Sequence, residues 1–150
     1  MADTVHVEQQ IKAPVSKVYK AFERERALKT WHDPRSHISN FKVGGKLTGD
    51  NYPSAEISAL IPNHIIVHRF SDVVTGIGIW SFVAKADGKS TLLVLDHLDA
   101  SEDKDELESI AFYWRGLIDN LAAFCEGREL PFDHDLSDYK PGMKPHPTKP

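Results

Sequence analysis

The chain has 150 residues, with 18 Lys or Arg against 22 Asp or Glu. Its formal net charge of −4 does not indicate a basic surface that would bind nucleic acid or an anionic membrane. Cys125 is the only cysteine, so no internal disulfide can form, and the N-terminal residues lack the basic and apolar segments of an export signal. A chain of this length normally forms one domain, and we expect a cytoplasmic protein with no nucleic-acid or membrane partner.

The first predicted elements are a strand and two short helices. Residues 4–11 alternate between apolar and polar side chains, which is the period of a half-buried strand. After Pro14, apolar residues recur at the i, i+3, i+4 and i+7 spacing of a helix. A charged run near residues 24–26 divides this region, so we predict two short helices that end at Pro34.

The central region, residues 40–98, predicts about six strands separated by short turns. The Gly44-Gly45 pair is typical of a hairpin turn, with a strand over residues 41–43 before it and a return strand over residues 46–50. No connection in the region is long enough for a crossover helix. We therefore expect all of these strands to be antiparallel.

The C-terminal region predicts one long helix and a tail. The helix spans Asp103 to Glu126, with acidic residues in its first turn and Gly127 in the position of a C-cap. Five of the nine prolines lie in the last twenty residues, and such a segment cannot form a core. We therefore expect a domain over residues 1–128 and a Pro-rich tail over residues 129–150.

The order of these elements predicts an α+β fold, in which a curled antiparallel sheet of about six to seven strands surrounds the long C-terminal helix, with two short helices after the first strand. Several segments in this order carry a family resemblance: I-K-A-P at 11–14, V-Y-K-A-F at 18–22, A-L-K-T-W at 27–31, F-K-V-G-G at 41–45, A-L-I-P at 59–62, I-V-H-R-F at 66–70, S-T-L-L-V-L-D-H at 90–97 and W-x-x-x-I-x-x-L at 114–121. As an ordered set they resemble the helix-grip, START-related (SRPBCC) superfamily. Within it, the chain is similar to bacterial proteins related to the C-terminal domain of the heat shock protein 90 ATPase activator.

The resemblance implies a hollow domain that holds an apolar ligand between the concave face of the sheet and the C-terminal helix. It implies no cofactor and names no reaction. Tyr113 stands where the family commonly has a glycine before the helix tryptophan, which places a phenol near the expected cavity.

Strand alternation predicts which side chains face that cavity. Residues two apart share a face, so His68 points the same way as Phe70, and Trp80 the same way as Phe82. His97 follows the apolar positions of the last strand. Aromatic side chains suit a pocket for a flat ligand, although core packing or a hydrogen-bonded structural histidine is the alternative for each. The predicted ligand-binding residues are Trp31, His68, Phe70, Trp80, Phe82, His97, Tyr113 and Trp114.

Covalent and metal chemistry are not indicated. The chain has no G-x-S-x-G elbow, and Cys125 lies on the apolar face of the last helix. The histidines and the aspartate within residues 32–37 lack the spacing of a zinc site, so no metal is expected. Acid/base chemistry by His68 with His97 or Tyr113 stays open, and no catalytic residue is assigned.

Three functions are compatible with this pattern. The leading interpretation is a binding protein for a small hydrophobic or aromatic ligand. The alternative is a cyclase- or hydrolase-type enzyme for a polyketide-like or aromatic substrate, which needs two titratable side chains that converge in the cavity. A third is a chaperone-associated stress-response module, suggested by the family name. Ile77, Ile79 and Val83 face outward if Trp80 faces inward, and this apolar row predicts a homodimer interface.

Overall fold

One antiparallel sheet and three helices make up the described part of the chain. The computed structural model describes residues 3–32, 36–48, 54–71 and 74–130. The elements in chain order are β1 (Asp3–Ile11), α1 (Val15–Glu23), α2 (Glu25–Trp31), β2 (His37–Ile38), β3 (Lys46–Thr48), β4 (Ala55–Ile61), β5 (Ile65–Phe70), β6 (Ile77–Ala84), β7 (Thr91–Ser101) and α3 (Lys104–Glu126).

The seven strands form a single sheet in the order β1-β7-β6-β5-β4-β3-β2, and every neighbouring pair is antiparallel. Helix α3 packs against β1 and β7, and it also contacts α1 and α2. The predicted α+β architecture is therefore confirmed: a curled antiparallel sheet is closed on one face by the long helix, with two short helices after the first strand.

The helix boundaries follow the signals in the sequence. Arg24 is extended, with φ −98° and ψ 124°, and it separates α1 from α2. At the start of α3, the Asp103 carboxylate accepts a hydrogen bond from the N–H of Asp105 at 2.9 Å. Gly127 ends α3 with φ 71°, a conformation that glycine adopts without steric cost. Pro34 and residues 131–150 of the predicted tail lie outside the described residues.

The prediction for the first hairpin is wrong in one strand. The partner of β3 is β2 (His37–Ile38), whereas residues 41–44 form bends and a turn. A two-residue strand has no periodicity that a sequence pattern can reveal, which explains the error. Residues 49 and 50 of the predicted return strand lie outside the described residues.

The Gly44-Gly45 pair anchors this turn to β4. Gly44 has φ 91°, a backbone conformation that other residues rarely adopt, and a Cβ atom on Gly45 would lie 1.8 Å from the carbonyl oxygen of Asn40. The N–H of Gly44 donates to the carbonyl of Ile57, and the N–H of Ile57 donates to the carbonyl of Gly45, each at 2.8 Å. The pair therefore fixes the β2–β3 turn against the neighbouring strand.

The two faces of the sheet differ as the alternation predicts. In β5, β6 and β7 the inward-facing side chains are buried, among them Ile66, His68, Phe70, Trp80, Phe82, Leu93, Leu95 and His97. On the outer face, Ile77 is 37% exposed, Val83 is 48% exposed and Ile79 is half-buried. Among the described helices, none is both long and apolar enough to span a membrane.

Candidate functional site

A small cavity lies between the concave face of the sheet and the helices α1, α2 and α3. Its volume is about 10 Å³, which is room for about one water molecule. Its wall is mainly aromatic, and two histidines contribute to it. The lining residues are Phe22, Leu28, Trp31, His32, Leu47, Ala55, His68, Phe70, Trp80 and Trp114.

All three tryptophans of the chain line this cavity. Trp31, Trp80 and Trp114 are each exposed by 2% or less. The indole N–H of Trp31 donates to the carbonyl of Ala21 at 2.9 Å, which ties α2 to α1. The rings of Trp80 and Trp114 meet edge to face, with centroids 5.7 Å apart. The indoles of the chain are therefore concentrated at one place in the fold.

His68 in β5 brings a neutral imidazole to the cavity wall. The indole N–H of Trp80 donates to His68 Nδ1 at 3.2 Å, so this nitrogen carries no proton. Burial lowers the pKa of His68 to about 4, and the neutral ring therefore carries its proton on Nε2 at neutral pH. Among the described residues, no group accepts a hydrogen bond from this Nε2–H.

His97 in β7 has the same tautomer but a complete set of partners. Its Nδ1 accepts from the indole N–H of Trp114 at 3.0 Å, and its Nε2–H donates to the carbonyl of Thr75 at 2.7 Å. Burial lowers the pKa of His97, and the bond to Thr75 opposes that effect. Because both ring nitrogens are engaged, this side chain holds together β7, α3 and the segment before β6.

Gly78 separates the two histidines in one cross-strand row. It pairs with His68 on β5 and with His97 on β7. A Cβ atom at Gly78 would lie 2.8 Å from Cζ of Phe70, so the aromatic ring occupies the space that a side chain would need. The Phe70 ring in turn packs against the rings of His97 and Trp114, with centroid distances of 4.9 and 5.6 Å.

His32, at the end of α2, is the second histidine of the cavity wall. Burial lowers its pKa to about 3, and the neighbouring His68 contributes to that shift. Its Nδ1 lies 3.0 Å from Oγ of Ser36. His37 points elsewhere and contacts the Glu25 carboxylate at 2.7 Å, while Asp33 lies outside the described residues. Across the described ranges, no three His, Cys, Asp or Glu side chains are arranged to hold a metal ion.

The eight predicted ligand-binding residues divide into two sets. Five of them line the cavity: Trp31, His68, Phe70, Trp80 and Trp114. Phe82, His97 and Tyr113 are buried but are not among the lining residues.

Five further lining residues were not predicted. Phe22 and Leu28 lie at apolar positions of the predicted helices, which is the signal that identifies them. His32, Leu47 and Ala55 reach the cavity only through long-range packing, which no local pattern encodes.

A second depression, of about 280 Å³, lies at the surface between the edge strand β1 and α3. Its wall is largely polar and includes Glu8, Arg115 and Asp119. Partial burial raises the pKa of Asp119, and the positive charge of Arg128 opposes that effect. Close by on the outer face, His6 lies between two carboxylates, with Nδ1 2.5 Å from Asp96 and Nε2 2.8 Å from Glu8.

The fold places the chain beside solved helix-grip proteins. The Aha1 dimer from Colwellia psychrerythraea superposes with a TM-score of 0.71 at 19% identity, over 82% of this chain and 96% of that one. CalU16 from Micromonospora echinospora has a TM-score of 0.69 at 19% identity, over 85% of this chain and 77% of that one. DynU16, described as a putative protein in the dynemicin biosynthetic locus, has a TM-score of 0.71 at 22% identity, over 85% and 49%.

These neighbours and the curled sheet around α3 define the class of the fold as helix-grip. Within that class, the family model for Activator of Hsp90 ATPase homolog 1-like proteins matches residues 12–126, and the chain belongs to this family. No functionally curated protein matches the sequence.

Proposed function

We propose that this protein binds a small, largely apolar molecule in the cavity between the sheet and α3, and that it does so in the cytoplasm. The observation that carries the proposal is the composition of the cavity wall: three tryptophans and two neutral histidines converge on one buried point. Ligand pockets are typically apolar and aromatic, with a few polar groups that orient the ligand. The aromatic wall and the few polar atoms of this cavity fit that description.

The size of the cavity sets a condition on binding. A volume of about 10 Å³ holds one water, so any organic ligand has to displace side chains of the wall. The Phe22 ring packs against the indoles of both Trp31 and Trp80, with centroid distances of 5.1 and 4.9 Å. Binding therefore exchanges ring–ring contacts for ring–ligand contacts. We expect the change to alter the environment of every tryptophan in the chain.

Native mass spectrometry of the protein as purified, beside the same sample denatured, tests the proposal. A non-covalent adduct of a few hundred daltons that disappears on denaturation is the expected result. Intrinsic tryptophan fluorescence then follows release and rebinding, because every indole lines the cavity. Bare protein whose emission does not respond to any added apolar compound would overturn the proposal.

The contacts of the histidines support binding over cyclase or hydrolase chemistry. His97 uses both ring nitrogens in bonds to Trp114 and Thr75, so it has no nitrogen available for substrate. His68 is a weak base at neutral pH because burial lowers its pKa to about 4, whereas acid/base catalysis is most efficient when the pKa lies near the working pH. Tyr113 is not among the lining residues.

We also propose that the outer face of the sheet associates with a second copy of the chain. Ile61, Ile77 and Val83 are exposed there by 50%, 37% and 48%, and exposed apolar surface on one face commonly marks an interface. Light scattering after gel filtration should give the mass of a dimer, and replacement of Ile77 and Val83 by Lys should give that of a monomer. A wild-type mass of one chain would contradict this part of the proposal.

A further inference from the structure

Most polar side-chain atoms of the cavity wall have a hydrogen-bond partner within the protein. The three indole N–H groups donate to the Ala21 carbonyl, to His68 Nδ1 and to His97 Nδ1. His68 is only 5% exposed, and its Nε2–H has no acceptor among the described residues. A donor at the cavity wall that no described protein group satisfies leaves a hydrogen bond for a ligand to make, so this N–H is the place where a ligand gains most from a polar atom.

A water molecule in the cavity can accept the hydrogen bond from this N–H. The cavity of about 10 Å³ is large enough for one water molecule, which can accept from His68 Nε2 when no ligand is bound. A ligand oxygen in that position reproduces the hydrogen bond of the water, while the rest of the ligand replaces aromatic contacts. Displacing an ordered water loses affinity unless the ligand reproduces its hydrogen bonds.

The described part of the cavity wall disfavours an ionic ligand group. Both lining histidines are neutral at neutral pH, and none of the described residues that line the cavity is a Lys, Arg, Asp or Glu. A buried carboxylate or ammonium would therefore have no counter-charge, which is strongly unfavourable. The wall offers instead a donor for a neutral oxygen and aromatic faces for a flat carbon skeleton.

We propose that the cavity selects an uncharged aromatic compound with one hydrogen-bond acceptor, such as a ketone, quinone or ether oxygen, and that this oxygen accepts from His68 Nε2. His68 is thus the specificity-determining residue of the site. The inference rests on the proposed function, because it names the class of ligand for the same cavity.

Acetophenone and cumene form a suitable pair of test compounds. They have similar size and shape, but one carries a carbonyl oxygen where the other carries a methyl group. Titration of the full chain with each compound, followed through the three indole N–H signals in ¹H–¹⁵N spectra, reports directly from the cavity wall. Comparing the two affinities across variants cancels the different solubility of the compounds in water.

In His68→Phe we expect acetophenone to bind about tenfold more weakly or worse, while the affinity for cumene changes by about twofold or less. His68→Gln keeps both an acceptor for Trp80 and a donor, so it should retain the acetophenone affinity to within about threefold. Ser81→Ala, on the same sheet but with its side chain outward, is the matched control. It should leave both affinities unchanged.

The possible outcomes distinguish a failure of the proposed role of His68 from a failure of the proposed ligand-binding function. If both compounds bind and His68→Phe weakens them equally, the cavity binds ligands but the inference is overturned. If neither compound moves an indole signal up to its solubility limit, the proposed function fails as well.

A measurement on the wild type covers the case in which His68→Phe does not fold. Acetophenone labelled with ¹³C at the carbonyl should show a downfield carbonyl shift when bound, as a hydrogen-bonded ketone does. A bound shift equal to that in an alkane solvent would overturn the inference.

Discussion

His68 and His97 occupy matching positions on the concave face, one on each side of Gly78, yet the two regions around them differ in hydrogen bonding. Each imidazole accepts from a tryptophan indole through Nδ1. Within the described part of the chain, only His97 also donates, through Nε2, to the carbonyl of Thr75. Two histidines with similar burial and the same tautomer therefore divide into a structural one and one that leaves a donor at the cavity.

The two histidines should differ most in how much stability is lost when each imidazole is replaced. His97→Phe leaves the Trp114 N–H and the Thr75 carbonyl without their partners, and we expect it to lower the free energy of unfolding by about 2–4 kcal/mol. His68→Phe removes only the acceptor for Trp80 and should cost about 1–2 kcal/mol. Urea denaturation of both variants at neutral pH measures the two values. An equal or larger loss for His68→Phe would break the comparison.

Acid should destabilise the fold through the inward-facing histidines. The pKa of His68 is about 4 in the folded state against an ordinary value of 6.5, so the unfolded chain takes up the proton first as the pH falls. Stability is therefore complete above pH 6.5 and decreases as the pH falls towards 4, by about 2–3 kcal/mol for this residue at about pH 4.5. The unfolding free energy of His68→Phe should fall less steeply over this range. Parallel curves for variant and wild type would contradict the assignment.

Substitution of Gly78 tests whether the Phe70 ring needs the space that the missing side chain leaves between the two histidines. In Gly78→Ala the new Cβ meets the Phe70 ring at 2.8 Å, and overpacking of this kind costs about 1–3 kcal/mol. The displaced ring should also change the emission of Trp114, which it contacts. Ser81→Ala on the same strand is the control, with an expected change within about 0.5 kcal/mol. A Gly78→Ala variant as stable as this control would show that the ring moves aside freely.

The outward-facing His6 should give the smallest effect and the opposite pH dependence. Hydrogen bonds to Asp96 and Glu8 raise its pKa, so its contribution to stability is complete below pH 6.5 and is lost as the pH rises through the folded value. Because the pair is exposed, His6→Gln should cost less than about 1 kcal/mol. The cost should be largest below pH 6.5 and should decrease as the pH rises above that value. A cost that does not change with pH would argue against the ion pairs.

The sequence predicts which face of the sheet a side chain lies on, but it does not predict which hydrogen bonds the side chain makes there. Alternation along β5, β6 and β7 correctly turns His68, Trp80 and His97 inward, because a buried strand face constrains every second residue. The same pattern cannot separate His68 from His97, since the acceptor of His97 is a carbonyl 22 residues away.

Packing is the other quantity that the sequence does not contain. The aromatic residues predict a cavity for a flat ligand, whereas their rings fill most of that space and leave about 10 Å³. Side-chain volume is known from composition, but the gaps between rings depend on how the three helices pack against the curved sheet. Leu47 and Ala55 contribute to the wall for the same reason, without any local signal.

The most direct test is a long-range ¹H–¹⁵N correlation spectrum of the histidine rings in wild-type protein at neutral pH, before and after addition of acetophenone. We expect both buried rings to be neutral with the proton on Nε2, and we expect the ligand to shift the Nε2 signal of His68 while that of His97 stays in place. A His68 ring protonated on Nδ1 or on both nitrogens, or a ligand-induced shift confined to His97, would contradict the roles assigned to the two histidines.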